Sequence, residues 1–542
     1  MNLAVLADQH AAGDPALYEG GTWFTWGEVR RRAGAAAAAL VALGVGPDDR
    51  VAIVWPTSVD FVVAYLGVLA AGAVAVPLNP NSPANELGRE LKVVEPAVVL
   101  AAGAAAAVPR VPHVVLPAEV VAAMGEKARE ARVWEEFSAA REEAAEVAAQ
   151  DTAPSEGAER AEGLEPTKPA TTGPEAGADE EHHLHPTPRQ ESDLAVLLFT
   201  SGTAGDPKAA MLSHGNLMAN LRQMLGIPEI FRADDVGLVA LPLFHVFGLN
   251  VALGLCLATG AALVLDTRFD AAASLKQVHD LGVTTLLGVP TMFAAWADAP
   301  GQDANGPSPL AGVRRAISGA AALDPEVASR FESRYGITIW QGYGLTEASP
   351  AVSTSLGTGR NRPGSVGRPL PGVEVQLVDE DEEPVLDGDP GEIWVRGANV
   401  FGGYWHDPKA TSKVLADDGW LRTGDIGVIG EEGDLFVVDR SKDLVIVSGF
   451  NVFPAEVERV VASVPGVAEV VVIGRPDAST GETVEAVIVA APGGAVTEEL
   501  VRAYCAANLT RYKCPTSIRF VAELPHGLVG KALRKALRDR PA

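Results

Sequence analysis

The chain has 542 residues, 47% apolar and 21% charged, a globular composition too long for one ordinary core and suited to three or four domains or lobes. Its 43 Lys and Arg stand against 70 Asp and Glu, a net charge of −27. That balance argues against nucleic acid and anionic membranes as partners, so any anionic ligand must be held by a locally built site.

The N-terminal MNLAVLADQHAAGDP lacks the basic start and apolar run of a signal peptide. From Phe24 to Leu100 helical and strand patterns alternate: WGEVRRRAGAAAAALVAL is helical up to Gly44, RVAIVW is a strand, SVDFVVAYLGVLAAG is a helix capped by Ser58, and VAVPL is a strand. Such alternation implies a largely parallel sheet covered by helices. Two uncharged stretches, 61–79 and 236–265, are long enough for a membrane span but are broken by Gly67, Gly72, Pro77, Pro242, His245, Asn250 and Gly260. They read as buried strand–loop–helix–strand, and no transmembrane segment is expected. Residues 141–190, rich in Ala, Glu, Pro, Gly and Thr and without an aromatic, read as a disordered surface insertion. HHLH at 182–185 reads as a bystander in that loop rather than a metal site.

Regular βα structure resumes at Leu194. RRAISGAAALDPEVASRFESRYGITIWQGYGLTE reads as a βαβ unit, its helix capped by Asp324, with Pro325 in the first turn and Gly336 at the end, so that GAA and GYGLTE fall just after strand ends. Residues 370–437 change to short strands, VEVQLVD, EIWVRG and LFVVD, separated by turn signals, which suggests a small barrel or sheet. The tail predicts an α+β domain: a helix from Pro454, strands VAEVVVIG and TVEAVIVA, a helix over 497–509, a strand SIRFVAEL and a basic helix from Lys531. Cys256, Cys505 and Cys514 are too few and scattered for disulfides or zinc and read as reduced packing thiols, so a cytoplasmic location is expected.

Residues 194–208 read LAVLLF-TSGTAGDPK: an apolar strand, then a loop with hydroxyls, glycines and Lys208. Glycines let backbone N–H groups turn inward, and the hydroxyls and ammonium add donors for phosphate oxygens. A P-loop needs Lys directly after Gly and Ser or Thr directly after Lys. Here Asp-Pro separates Gly205 from Lys208 and Ala209 follows, so that reading fails; a structural Gly-rich turn stays open.

TSGTAGDPK resembles the signature loop of the adenylate-forming enzymes, which include acyl-CoA synthetases, non-ribosomal peptide adenylation domains and luciferases. The resemblance continues in order through PLFH (242–245), SGAAAL (318–323), QGYGLTE (341–347), GWLRTGD (419–425), DRSKDLVIVSGFNVFPAEVE (439–458) and GLVGKALRK (527–535). Ala204, Ala209 and Val529 depart from the usual Thr, Gly and Ser without removing a charge. The resemblance implies a large N-terminal domain, 1–440, of doubly wound α/β lobes plus a small β-barrel. A hinge at 441–443 and a smaller, mobile α+β lid, 444–542, would follow.

It also implies ATP and coenzyme A as co-substrates, Mg²⁺ as cofactor and a small carboxylic acid as substrate. Thr200, Ser201, Gly202, Thr203 and Lys208 would hold phosphates. Gly319, Ala320, Ala321, Gly342, Tyr343 and Gly344 would surround the adenine. Thr346 would donate to the α-phosphate and Glu347 would hold Mg²⁺, its alternative being a solvated acid. Asp425, following TG in an expected tight turn, and Arg440 would meet the ribose. Lys531 would contact carboxylate and α-phosphate together, although alone it reads as a surface lysine. Lys442 would be the hinge. Gly449 and Phe450 would meet the CoA arm, a simple turn being the alternative for Gly449.

His245, Phe247, Gly248 and Gly344 would border the acyl pocket, with His245 among the catalytic residues. FHVFGLNVALGL carries no acid to meet a substrate amino group, which favours a medium- or long-chain fatty acid over an amino acid. An acyl-AMP ligase loading a carrier protein, an aryl-CoA ligase and an inactive adenylate-binding protein are the alternatives. The resemblance leaves monomer or homodimer, and weak peripheral membrane contact, open.

Overall fold

The computed structural model describes residues 2–82, 84–101, 183–200, 207–299, 308–440, 445–447, 450–477, 480–493, 495–525 and 534–538. Contacts group the chain into two compact units. The first comprises Met1–Asn361, Pro369–Glu374 and Arg396–Leu421; the second comprises Arg362–Arg368, Val375–Val395 and Arg422–Ala542.

The βα alternation of the first unit follows its local signals. Ser58 caps the helix Val59–Ala70 by accepting the Phe61 N–H at 3.2 Å. Asp324 caps Pro325–Tyr335 and Gly336 ends it with φ 71°. A five-stranded sheet runs in the order Val98–Ala101, Arg50–Val54, Val74–Leu78, Leu194–Thr200, Lys208–Ser213. The other sheet has nine strands. Its centre, Ile339–Gly344, Arg315–Ser318, Thr285–Gly288, Val236–Val239, Ala262–Leu265, is parallel throughout. Such strands are buried on both faces, hence their continuous apolar runs. The stretch 236–265 forms strand, helical turns and strand, and no helix among the described residues is long and apolar enough to cross a membrane.

Three local expectations change. Residues 183–190, assigned to the insertion, are docked: Leu184 is buried, its N–H donates to Asp8 at 2.8 Å, and Thr187 N–H donates to the Ala70 carbonyl at 2.8 Å. Polar partners hold the segment as well as Leu184: Asn2 Nδ2 donates to the Thr187 carbonyl at 2.9 Å, and Arg189 pairs with Asp48 and Asp193. Residues 141–182 lie outside the described residues. GYG of GYGLTE does not follow a strand end but completes the strand Ile339–Gly344, because Gly342 and Tyr343 pair antiparallel with Thr354 and Ser353. Asp425 likewise sits inside the strand Leu421–Ile429 rather than in a turn.

In the second unit the lobe expected to be barrel-like is a four-stranded sheet, Val373–Val378, Gly391–Gly397, Leu421–Ile429, Leu435–Arg440. By contacts most of it groups with the C-terminal residues. The tail forms the expected α+β layer. The strands Val467–Asp477 and Gly481–Ala490 pair antiparallel, Ser517–Val521 joins in parallel, and Pro454–Ala462 and Glu498–Asn508 pack over them around Val457, Val472, Ile488 and Val501. Cys256 and Cys505 are buried free thiols, in keeping with packing roles.

A buried ion cluster pins the larger sheet. Asp235 is fully buried, pairs with Arg314 and Arg315, and accepts the Thr284 hydroxyl at 2.6 Å. Burial alone would raise its pKa, but the hydrogen bonds of Thr284, Arg314 and the Arg232 backbone, with the Arg315 charge, hold it below the usual range. Its contribution is therefore complete at neutral pH and is lost as pH falls through that lowered value. Asp235→Ala removes the buried partner of Arg315, itself only 5% exposed, and leaves it the exposed Glu229 at 3.7 Å, which should destabilise the first unit by about 3–5 kcal/mol. Denaturant midpoints against pH check this; the gap from wild type should narrow in acid.

Candidate active site

The signature loop springs from a closed hairpin. Leu194–Thr200 and Lys208–Ser213 pair antiparallel, with Thr200 opposite Lys208, so these two residues form the base from which 201–206 depart. Ser201, Gly202 and Thr203 lie outside the described residues. A third segment runs beside the hairpin: Met211 N–H donates to the Gly403 carbonyl at 2.9 Å, and Trp405 N–H donates to Ala209 at 2.8 Å. That register brings the Tyr404 ring beneath Lys208, whose Nζ lies 5.2 Å from the ring centroid. The Tyr404 hydroxyl donates to Glu347 Oε1 at 2.7 Å. Burial, then the Glu347 charge and hydrogen bond, push the phenol pKa far up, so it stays a donor.

Thr346 and Glu347 occupy a short 3₁₀ turn, Thr346–Ala348, just beyond the strand Ile339–Gly344. Three buried amides hold the backbone after them, and a fourth links two of the three. Asn399 Nδ2 donates to the Ala348 carbonyl at 2.9 Å, and Asn250 Nδ2 to Ser349 at 2.7 Å. Asn220 grips Ala351 at both backbone groups, at 3.1 and 2.8 Å. Gln223 joins Asn220 to Asn399 at 3.1 and 3.2 Å. The Phe401 N–H donates to the Glu347 carbonyl at 2.9 Å. Satisfied buried networks of this kind rigidify the segment they bind.

Gly344 is required by this turn: a Cβ there would lie 2.2 Å from the Pro350 carbonyl oxygen. Gly344→Ala should push the Thr346–Glu347 turn out of place. It should lower the thermal midpoint and cut adenylation at least about 10²-fold, the scale for a small misplacement of catalytic groups. Pyrophosphate release with saturating ATP checks this.

PLFH leads into an unforeseen π-helix, Phe247–Gly254, wholly buried. Single π turns favour functional sites, and this one is eight residues long. His245 is half-buried, and its Nδ1 accepts the Phe247 N–H at 3.2 Å, which leaves the neutral ring's proton on Nε2. Burial lowers its pKa, favouring the neutral ring. The adenine and acyl candidates meet here: a Cβ on Gly319 would lie 3.2 Å from the Phe247 ring. Ala320 is exposed with φ 69°, and Ala321 is half-buried beside it. Gly248 answers to its own chain, since a Cβ would lie 2.4 Å from the Pro242 carbonyl.

In the second unit Asp425 stands opposite Arg440 across two antiparallel strands. Asp425 is buried, and the preceding Gly424 takes φ 70° while its N–H donates to Glu392 at 2.9 Å. Phe450 opens a strand opposite Val447. Lys442, Gly449 and Lys531 lie outside the described residues.

Sequence reasoning missed Tyr404, Asn220, Gln223, Asn250 and Asn399. The aromatic in GGYWH was the available signal for Tyr404; the amides carried none. Among the described residues, Glu347 Oε2 has no hydrogen-bond partner, and there is no group of three His, Cys, Asp or Glu suited to a metal. One carboxylate with substrate phosphates fits Mg²⁺, which usually keeps waters and few protein ligands.

The chain belongs to the AMP-binding enzyme family: the family model matches residues 4–405, and that of the AMP-binding enzyme C-terminal domain matches 456–531. It is 34% identical to a long-chain-fatty-acid–CoA ligase of Escherichia coli O157:H7, over 97% of this chain and 92% of that protein. It is 35% identical to a feruloyl-CoA synthase of Amycolatopsis sp, over 97% and 95%. Its fold matches ATP-bound MatB from Rhodopseudomonas palustris with TM-score 0.82 and 31% identity, covering 99% of both chains. The chain is thus an AMP-forming acid–CoA ligase, using ATP to activate an acid and giving its CoA thioester.

Proposed function

We propose that the acid is a medium- or long-chain fatty acid. The observation that carries this reading is the π-helix Phe247–Gly254, buried along its length, with no charged side chain and no carboxylate to meet an amino group. The E. coli relative's name agrees with it. The feruloyl-CoA synthase relative supports a second reading, an aryl acid.

Two anions must meet when the carboxylate attacks the α-phosphorus and expels pyrophosphate, so oriented positive charge and donors dominate catalysis. In this reading Thr200, Ser201, Gly202, Thr203 and Lys208 hold the phosphates of ATP. Thr346 donates to the α-phosphate and Glu347 holds Mg²⁺. Bound there, Mg²⁺ supplies Lewis-acid neutralisation of phosphate charge. Gly319, Ala320, Ala321, Gly342, Tyr343 and Gly344 surround the adenine, while Asp425 and Arg440 bind the ribose. Lys531 cancels the repulsion between carboxylate and α-phosphate.

The N-terminal domain ends near 440 and the lid begins near 444. Rotation about Lys442 withdraws Lys531 and presents Gly449 and Phe450 to the CoA arm. His245, Phe247, Gly248 and Gly344 border the acyl chain. The test is a panel of alkanoates, cinnamates and benzoates with ATP and CoA, measuring AMP and thioester together. Faster turnover of an aryl acid than of every alkanoate replaces the first reading with the second.

A further inference from the structure

We propose that Tyr404 is a positioning residue that holds Lys208 and Glu347 apart and aimed for Mg·ATP, using the two ends of one side chain. The inference rests on the phosphate and metal roles given above to those two residues.

The hydroxyl end donates to Glu347 Oε1 at 2.7 Å. A charge-assisted bond of this kind fixes the carboxylate's orientation and leaves Oε2 for the metal. The ring end carries the Lys208 ammonium 5.2 Å from its centroid. Among the described residues Lys208 and Glu347 form no ion pair with each other, and the ring that joins them is the spacer. Were they to collapse together, each would neutralise the charge the nucleotide site requires of the other.

Tyr404 has little freedom to do anything else. It is 7% exposed, its N–H donates to Thr411 Oγ1 at 2.9 Å, and Phe401 packs edge-on at 5.1 Å. The segment that bears it is laced to the Lys208 strand through Ala209 and Met211, and the same segment holds the Glu347 backbone through Phe401. Cation, carboxylate and spacer therefore move as one body. Such rigid support is what a catalytic constellation needs.

The experiment is calorimetric binding of α,β-methylene-ATP to the full-length protein, without acid or CoA, in EDTA and across a Mg²⁺ series. Tyr404→Phe keeps the ring and removes the donor. It should raise the Mg²⁺ needed for tight binding by about 10- to 100-fold, the usual cost of losing a group that orients a metal ligand. Binding in EDTA should stay as in wild type. Tyr404→Leu should add a weakening in EDTA of about 2- to 5-fold, the scale of a lost cation–π contact.

An unchanged Mg²⁺ requirement in Tyr404→Phe, with Glu347→Gln shifted, overturns the inference alone. An unchanged requirement in Glu347→Gln as well overturns the metal role of Glu347. As a second measurement, the double variant Tyr404→Phe with Glu347→Gln is compared with Glu347→Gln alone. A hydroxyl acting only through that carboxylate adds no further shift in Mg²⁺ requirement, and an added shift counts against the proposal.

Discussion

Lys531→Ala is expected to stop adenylation while sparing thiol transfer. The reaction brings a substrate carboxylate onto a phosphate that is already anionic, and Lys531 is the cation assigned to both. A directed electrostatic contact in a water-poor site is worth roughly 3–4 kcal/mol, or about 10²–10³ in rate. Acid-dependent pyrophosphate release should fall by that factor. Thioester formation from supplied acyl-AMP and CoA should persist, because in the proposed second state this lysine has been withdrawn. Lys442→Pro should give the mirror result. Proline fixes φ at the hinge and suppresses rotation, so adenylation continues and transfer fails. Equal damage to both steps by both variants contradicts domain alternation and calls for one fixed site.

Glu347→Gln is the second large effect. The substitution keeps the shape, and the Tyr404 hydroxyl can still donate to the remaining carbonyl oxygen. What is lost is the negative charge. Adenylation at saturating acid and ATP should drop by about 10²-fold or more, comparable with losing one preorganised electrostatic contact. Excess Mg²⁺ should restore part of it. Near-normal turnover at low Mg²⁺ would falsify the metal role.

What was legible in the sequence was what is encoded locally. Ser58, Asp324, Pro325 and Gly336 bracket their helices because a cap satisfies N–H groups within a turn of itself. The strand Leu194–Thr200 and the loop after it were readable because their signals are local, whereas the return of the chain as a second strand, Lys208–Ser213, was not read. The supports of Glu347 were not legible either. Tyr404 lies 57 residues away from it, and the Asn220–Ala351 clamp spans 131, so no periodicity or spacing could pair them. The π-helix also left no trace, because a wholly apolar run has no face by which to tell one helical pitch from another. Residues 183–190 misled for the opposite reason: their composition is that of the insertion, and only partner groups such as those on Asp8 and Ala70 show why they dock.

The account turns on activation through an acyl-adenylate before CoA takes part. Its most direct test is exchange of labelled pyrophosphate into ATP with the acid present and CoA absent. Acid-dependent exchange, with AMP as the nucleotide product once CoA is added, is the predicted result. Exchange that needs CoA, or release of ADP in place of AMP, would contradict it.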